Sequence, residues 1–159
     1  MPLVKDKQII DNDWRHADES GELPSGRVTV PLKRWLSERQ ELADRGDIGL
    51  RLIATDTLDA IRDDLPQFGI IAIEFDKFND GRGFSQARLL RERYGYNGEI
   101  RAIGCFLCDQ LYYMHRCGFN AFELGDAVNA EDALRAFSAY SIISQPDVLH
   151  KSASAGPWR

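Results

Sequence analysis

At 159 residues, with 43% hydrophobic and 28% charged residues, the chain has the size and composition of one globular domain with a real core. A formal net charge of −5 argues against a general nucleic-acid binder, which would carry a basic surface. There is no signal-peptide pattern and no apolar run of the roughly 18–20 residues that span a bilayer, and three cysteines suit reduced thiols better than a disulfide framework. A cytoplasmic protein with neither membrane nor nucleic-acid partners is expected.

The first thirty residues are polar and broken by Gly21, Pro24 and Gly26. Short strands over 3–4, 8–10 and 27–30 suit an N-terminal ribbon. Pro31 precedes a helical stretch over 32–45, which turns Trp35, Leu36 and Leu42 to the core and stops at Gly46. Leu50-Arg51-Leu52-Ile53-Ala54 reads as a strand, and Thr57 can cap a helix bearing Leu58, Ile61 and Leu65. Ile70-Ile71-Ala72-Ile73-Glu74-Phe75 is nearly unbroken apolar sequence, as in a parallel strand with helices on both faces.

A glycine-rich turn over 79–83 leads into a helix over 84–94, followed by a strand over 100–103. Gly104 opens the next helix, which runs through Arg116 and ends at Gly118. Residues 121–124 form another short strand, and Asn129 caps a last helix with Glu131 and Asp132 in its first turn. This alternation predicts an α/β fold, a mainly parallel sheet of successive strand–helix units forming an open sheet or a half-barrel, with a short N-terminal β ribbon. One domain over 1–145 and a loosely held tail over 146–159 are expected.

Ligands of parallel α/β sheets sit beyond the carboxyl ends of the strands. There Asp80-Gly81-Arg82-Gly83-Phe84-Ser85 places two glycines, an arginine and a hydroxyl at a helix start, a pattern able to bind a small oxyanion. The same residues also suit a tight turn capped by Asp80 or Ser85, with Arg82 in solvent. On the following helix Arg91 falls within the apolar face of Phe84, Ala87, Leu90 and Tyr94, and Arg88 falls at its border. Arg91 is therefore expected to meet either a ligand or a structural partner such as Asp76 or Glu74.

On the next helix Gln110 lies within an apolar face and needs partners, by bracing a loop or touching a ligand. Asp109 and Arg116 share another face. Cys105-Phe106-Leu107-Cys108 is a Cys-x-x-Cys at a strand-to-helix junction, where a helix N-terminus would lower thiol pKa and suit disulfide exchange; the same pair also suits two small residues simply packed near a helix start. Cys117 reads as core. His16, His115 and His150 are scattered, no metal-ligand spacing appears, and no recognisable motif binds a cofactor.

The run from Phe78 through Ser85, Arg88, Arg91 and Tyr94-Gly95-Tyr96, with residues 98–104, Asp109-Gln110 and Arg116-Cys117-Gly118-Phe119, resembles domain-of-unknown-function family 934. This bacterial family carries the label of an oxidoreductase of sulfite reduction. The resemblance implies a role beside sulfite reductase, the sirohaem and iron–sulfur enzyme next to which members are typically encoded. The family pattern more often has an acidic residue where this chain has Cys105. An accessory protein of assimilatory sulfite reduction and cysteine biosynthesis is thus expected. It would bind sulfite reductase, a small oxyanion, or both through Asp80, Gly81, Arg82, Gly83, Ser85, Arg88 and Arg91, with Asp109, Gln110 and Arg116 lining the adjacent loop. The alternative is a redox enzyme using Cys105 and Cys108 or a recruited cofactor.

Overall fold

Alternating apolar residues drive the chain into short strands, which the computed structural model describes over residues 2–77, 80–125 and 128–139. The strands are β1 (Leu3–Lys5), β2 (Gln8–Ile10), β3 (Arg15–His16), β4 (Val28–Pro31), β5 (Ile48–Leu52), β6 (Ile70–Phe75), β7 (Glu99–Gly104) and β8 (Ala121–Glu123). They form one sheet in the order β2-β1-β8-β7-β6-β5-β4-β3. β3 to β8 run parallel to one another, whereas β1 runs antiparallel to both β2 and β8. The N-terminal ribbon is therefore present and extends the parallel sheet at β8.

The two edges of this sheet, β2 and β3, are consecutive in the chain, joined only by residues 11–14. In a flat sheet these edges would lie roughly 34 Å apart, at about 4.8 Å per strand. The link from Ile10 to Arg15 can span at most about 18 Å. The sheet must therefore curl, and it does: His16 of β3 reaches Glu123 of β8 at 2.5 Å. Of the two arrangements expected, the half-barrel is the one found.

Curling gives each strand an outer and an inner face. Val28, Val30, Leu50, Leu52, Ile71 and Ile73 point outwards into one hydrophobic core with the helices. These helices are α1 (Leu32–Ala43), a 3-10 helix (Asp59–Gln67), α2 (Arg82–Glu92), a 3-10 turn (Cys108–Gln110) leading into α3 (Leu111–Cys117), and α4 (Ala130–Ala139). Trp35 of α1 is fully buried, meets Phe68 edge-on at 4.8 Å and donates its indole N–H to Asp64 at 2.9 Å. Burial of each such large side chain contributes roughly 1.5–3 kcal/mol.

Four expectations need correction. Leu36, expected in the core, is 42% exposed on α1. β6 has helices over only one face, because its inner residues, Ile70, Ala72 and Glu74, line the concavity. The segment after Thr57 is a 3-10 helix, and no side chain caps it; Pro66, which has no N–H to donate, lies within it. Strand β3 was not expected, since two residues carry no readable period. The predicted tail over 146–159 lies outside the described residues. Asn129 does cap α4, its Oδ1 accepting the N–H groups of Glu131 at 2.8 Å and Asp132 at 3.3 Å. Among the described residues no helix is long and apolar enough to cross a membrane.

Candidate functional site

The glycine-rich turn sits at the carboxyl end of β6, as expected, and its charges satisfy each other locally. Asp80 accepts the backbone N–H of Arg82 at 3.1 Å and both Nε and Nη2 of its side chain, at 3.0 and 2.8 Å. This bidentate pair holds the Asp80 carboxyl down at about 2. Arg82 remains largely in solvent. Gly83 serves packing: a Cβ there would meet the Phe75 ring at 2.6 Å, so only glycine lets α2 approach β6 so closely. Gly81 faces open space, Ser85 is exposed, and Arg88 makes a loose surface pair with Glu92 at 3.8 Å.

Arg91 turns inward, as its place on the apolar face predicts, but at the other end of the sheet. Nine residues of helix put it about 13 Å from Arg82 along the axis. Its Nε donates to the Gly118 carbonyl at 3.0 Å, and Nη1 donates to those of Tyr96 and Gly98 at 2.8 Å each. Neither Asp76 nor Glu74 is a partner; the loops entering β7 and β8 are. Burial pulls the Arg91 guanidinium down to about 10, so it stays charged at neutral pH. The structure thus does not bring Arg82 and Arg91 together.

The loop after β7 departs from the expected helix. Gly104 has φ +91°, and a Cβ there would lie 2.4 Å from the Phe75 carbonyl oxygen, so the chain is pinned in a conformation no helix adopts. The following N–H, of Cys105, bonds that same carbonyl at 2.7 Å. Helix begins only at the 3-10 turn, leaving Cys105 exposed and outside any helix N-terminus. Burial, then the nearby Asp132 and Asp109, push the Cys108 thiol up. Alkylation of Cys108 by iodoacetamide is accordingly expected to be slower at pH 7 than that of a free cysteine. Its rate should keep climbing past the pH where an ordinary thiol has ionised. Gln110 braces the loop, its Oε1 accepting the Leu107 N–H at 2.8 Å. Asp109 is exposed, and Arg116 lies half-buried in the last turn of α3. Cys117 is core, as expected.

The densest polar constellation is on the inner face of the half-barrel. Arg101, only 1% exposed, donates Nε to Glu99 at 2.7 Å and Nη1 to Asn12 at 2.7 Å, with Glu123 3.6 Å away. Lys5 pairs with the other Glu99 oxygen at 2.9 Å. Asn12 in turn donates to Glu123 at 2.7 Å. His16 bridges Glu123 to the Thr29 hydroxyl, 2.6 Å from its Nδ1. Burial alone would raise the Glu123 carboxyl, but His16, Arg101 and Asn12 outweigh it and hold it below its ordinary range. The network joins β1, β3, β4, β7, β8 and the link over 11–14, so it closes the mouth left by the curl. Residue-type spacing within a motif does not reveal such a site. Its sequence signal is a charge between apolar residues of a strand, as in Ile100-Arg101-Ala102 and Phe122-Glu123-Leu124.

These features define a mainly parallel α/β half-barrel protein with helices outside and a charged inner face. The chain belongs to the family described as bacterial protein of unknown function (DUF934), whose model matches residues 49–154. That range begins in β5 and takes in Arg51, Glu74, Glu99, Arg101 and Glu123, whereas Asn12 and His16 precede it. No curated protein and no solved structure matches the chain.

Proposed function

We propose that the protein is an accessory protein of assimilatory sulfite reduction and cysteine biosynthesis, working in the cytoplasm by docking on sulfite reductase through the loops after β5, β6 and β7. The pathway and the partner are inferred from what the resemblance in the sequence implies. The observation that carries docking is exposed apolar surface at this end of the sheet: Ile53, Leu107 and Tyr113 are 43%, 44% and 49% exposed. Apolar surface left in water is unfavourable by about 25 cal/mol per Å². Set among charged residues, here the exposed Asp76, Lys77, Arg82 and Asp109, it has the make-up of a partner surface. Tyr113 is already held edge-on against Phe84 at 5.3 Å, so docking would cost it little side-chain freedom.

A strain lacking the gene is expected to grow normally on cysteine and poorly on sulfate or sulfite. Wild-type protein should restore growth, and the double variant Leu107→Asp, Tyr113→Asp should not. Growth independent of sulfur source would overturn the pathway. If Cys105→Ser fails to complement while the double variant succeeds, the redox reading through Cys105 and Cys108 replaces the docking one.

A further inference from the structure

The strand register lines up Arg51, Ala72, Arg101, Ala121 and Lys5 in one row across the inner face. Three basic side chains are thus separated by two alanines, whose methyl groups leave space between the long side chains beside them. Lys5 and Arg101 are engaged by Glu99 and by the network that closes the mouth. Arg51 is different. Its Nε is buried without a hydrogen-bond partner, and it makes no ion pair within 4.0 Å among the described residues. Glu74 is on the same face, one row nearer the carboxyl ends, and does not reach it. A guanidinium drawn partly out of water with an unmet donor is unfavourable unless something else meets that donor. Two strands away, about 9–10 Å at the backbone, none of the bonds made by Arg101 uses its Nη2.

The geometry points to a binding site for an anionic oxygen group on the inner face, with Arg51 as its main ligand, Arg101 beside it and Ala72 as its floor. The forked donors of arginine suit the paired oxygens of a carboxylate or of a tetrahedral oxyanion. The site faces the concavity, away from the outer loops proposed to dock, and does not depend on that docking.

Thermal unfolding of the full chain tests it, with inorganic phosphate and sulfate as one arm, acetate and succinate as the other, and chloride of equal ionic strength as reference. One arm should raise the wild-type Tm in a saturable way, which identifies the source of the anionic group. In Arg51→Gln the apparent affinity should fall at least tenfold, and Arg51→Lys, with the charge but not the fork, should fall between. Glu74→Gln should tighten binding several-fold by removing a nearby negative charge, and Arg82→Gln should leave it unchanged. Tm shifts of equal size in wild type and Arg51→Gln, or no shift with any of these anions, would overturn the site.

Discussion

Replacing Arg91 with leucine is expected to destabilise the protein by about 3 kcal/mol. Three loop carbonyls, of Tyr96, Gly98 and Gly118, would lose their donors, the bonds to Tyr96 and Gly118 being buried and that to Gly98 part-buried. Each unmet buried group costs about 1–3 kcal/mol. The sum is reduced because burying the charge is itself unfavourable, as its fall to about 10 indicates, and because Nη2 already lacks a partner. Equilibrium urea unfolding reads the change as a lower midpoint at constant slope. Arg82→Leu, which removes a solvent-exposed pair, should leave the midpoint in place. Equal effects at the two positions would show that the assignment of Arg91 to structure, and of Arg82 to the surface, is wrong.

Glu123→Leu is expected to cost about 3–5 kcal/mol, the usual penalty for removing one partner of a buried charged network. It strips acceptors from Asn12 and His16 and leaves Arg101 nearer to an uncompensated charge. Because these bonds hold the link over 11–14 across the mouth, the loss should appear first as faster amide exchange in β1 and β3. The pH dependence follows from the sign of the shift. The Glu123 carboxyl titrates below its ordinary 4.5 in the folded chain, so folding favours its ionised form. Its contribution is complete above about pH 4.5 and is lost as pH falls through the folded value. Midpoints measured from pH 6 down to pH 3 should therefore drop more steeply in wild type than in Glu123→Gln. Parallel profiles would contradict the role given to this carboxylate.

Much of the outer architecture is written locally. The apolar run of β6, the Asn129 cap and Gly118, which takes φ +124° where α3 ends, each depend on a few neighbouring residues and were readable from them. The inward turn of Arg91 was also legible from its place among Ala87 and Leu90. Its partners were not, because they are backbone carbonyls of two loops that carry no residue-type signal. The missing helix start after Gly104 has a similar cause: the glycine is required by contact with Phe75, 29 positions earlier, which no local pattern encodes. The curl is the least local feature of all. It follows from a four-residue link joining opposite edges of the sheet, and only once the strand order is known does that link become a constraint. The charged inner face was not read from the sequence, because single charges such as Arg51 and Glu123 among apolar strand residues do not mark an enclosed face until the curl turns them inward.

The most direct measurement of the proposed role is sedimentation velocity of the purified chain mixed with purified sulfite reductase. The wild-type chain should shift into the boundary of the larger enzyme in a saturable ratio. Leu107→Asp with Tyr113→Asp, its far-UV spectrum unchanged, should stay at its own slower boundary. Separate boundaries for wild type at concentrations well above micromolar, or co-sedimentation indifferent to the two substitutions, would contradict docking through the carboxyl-end loops.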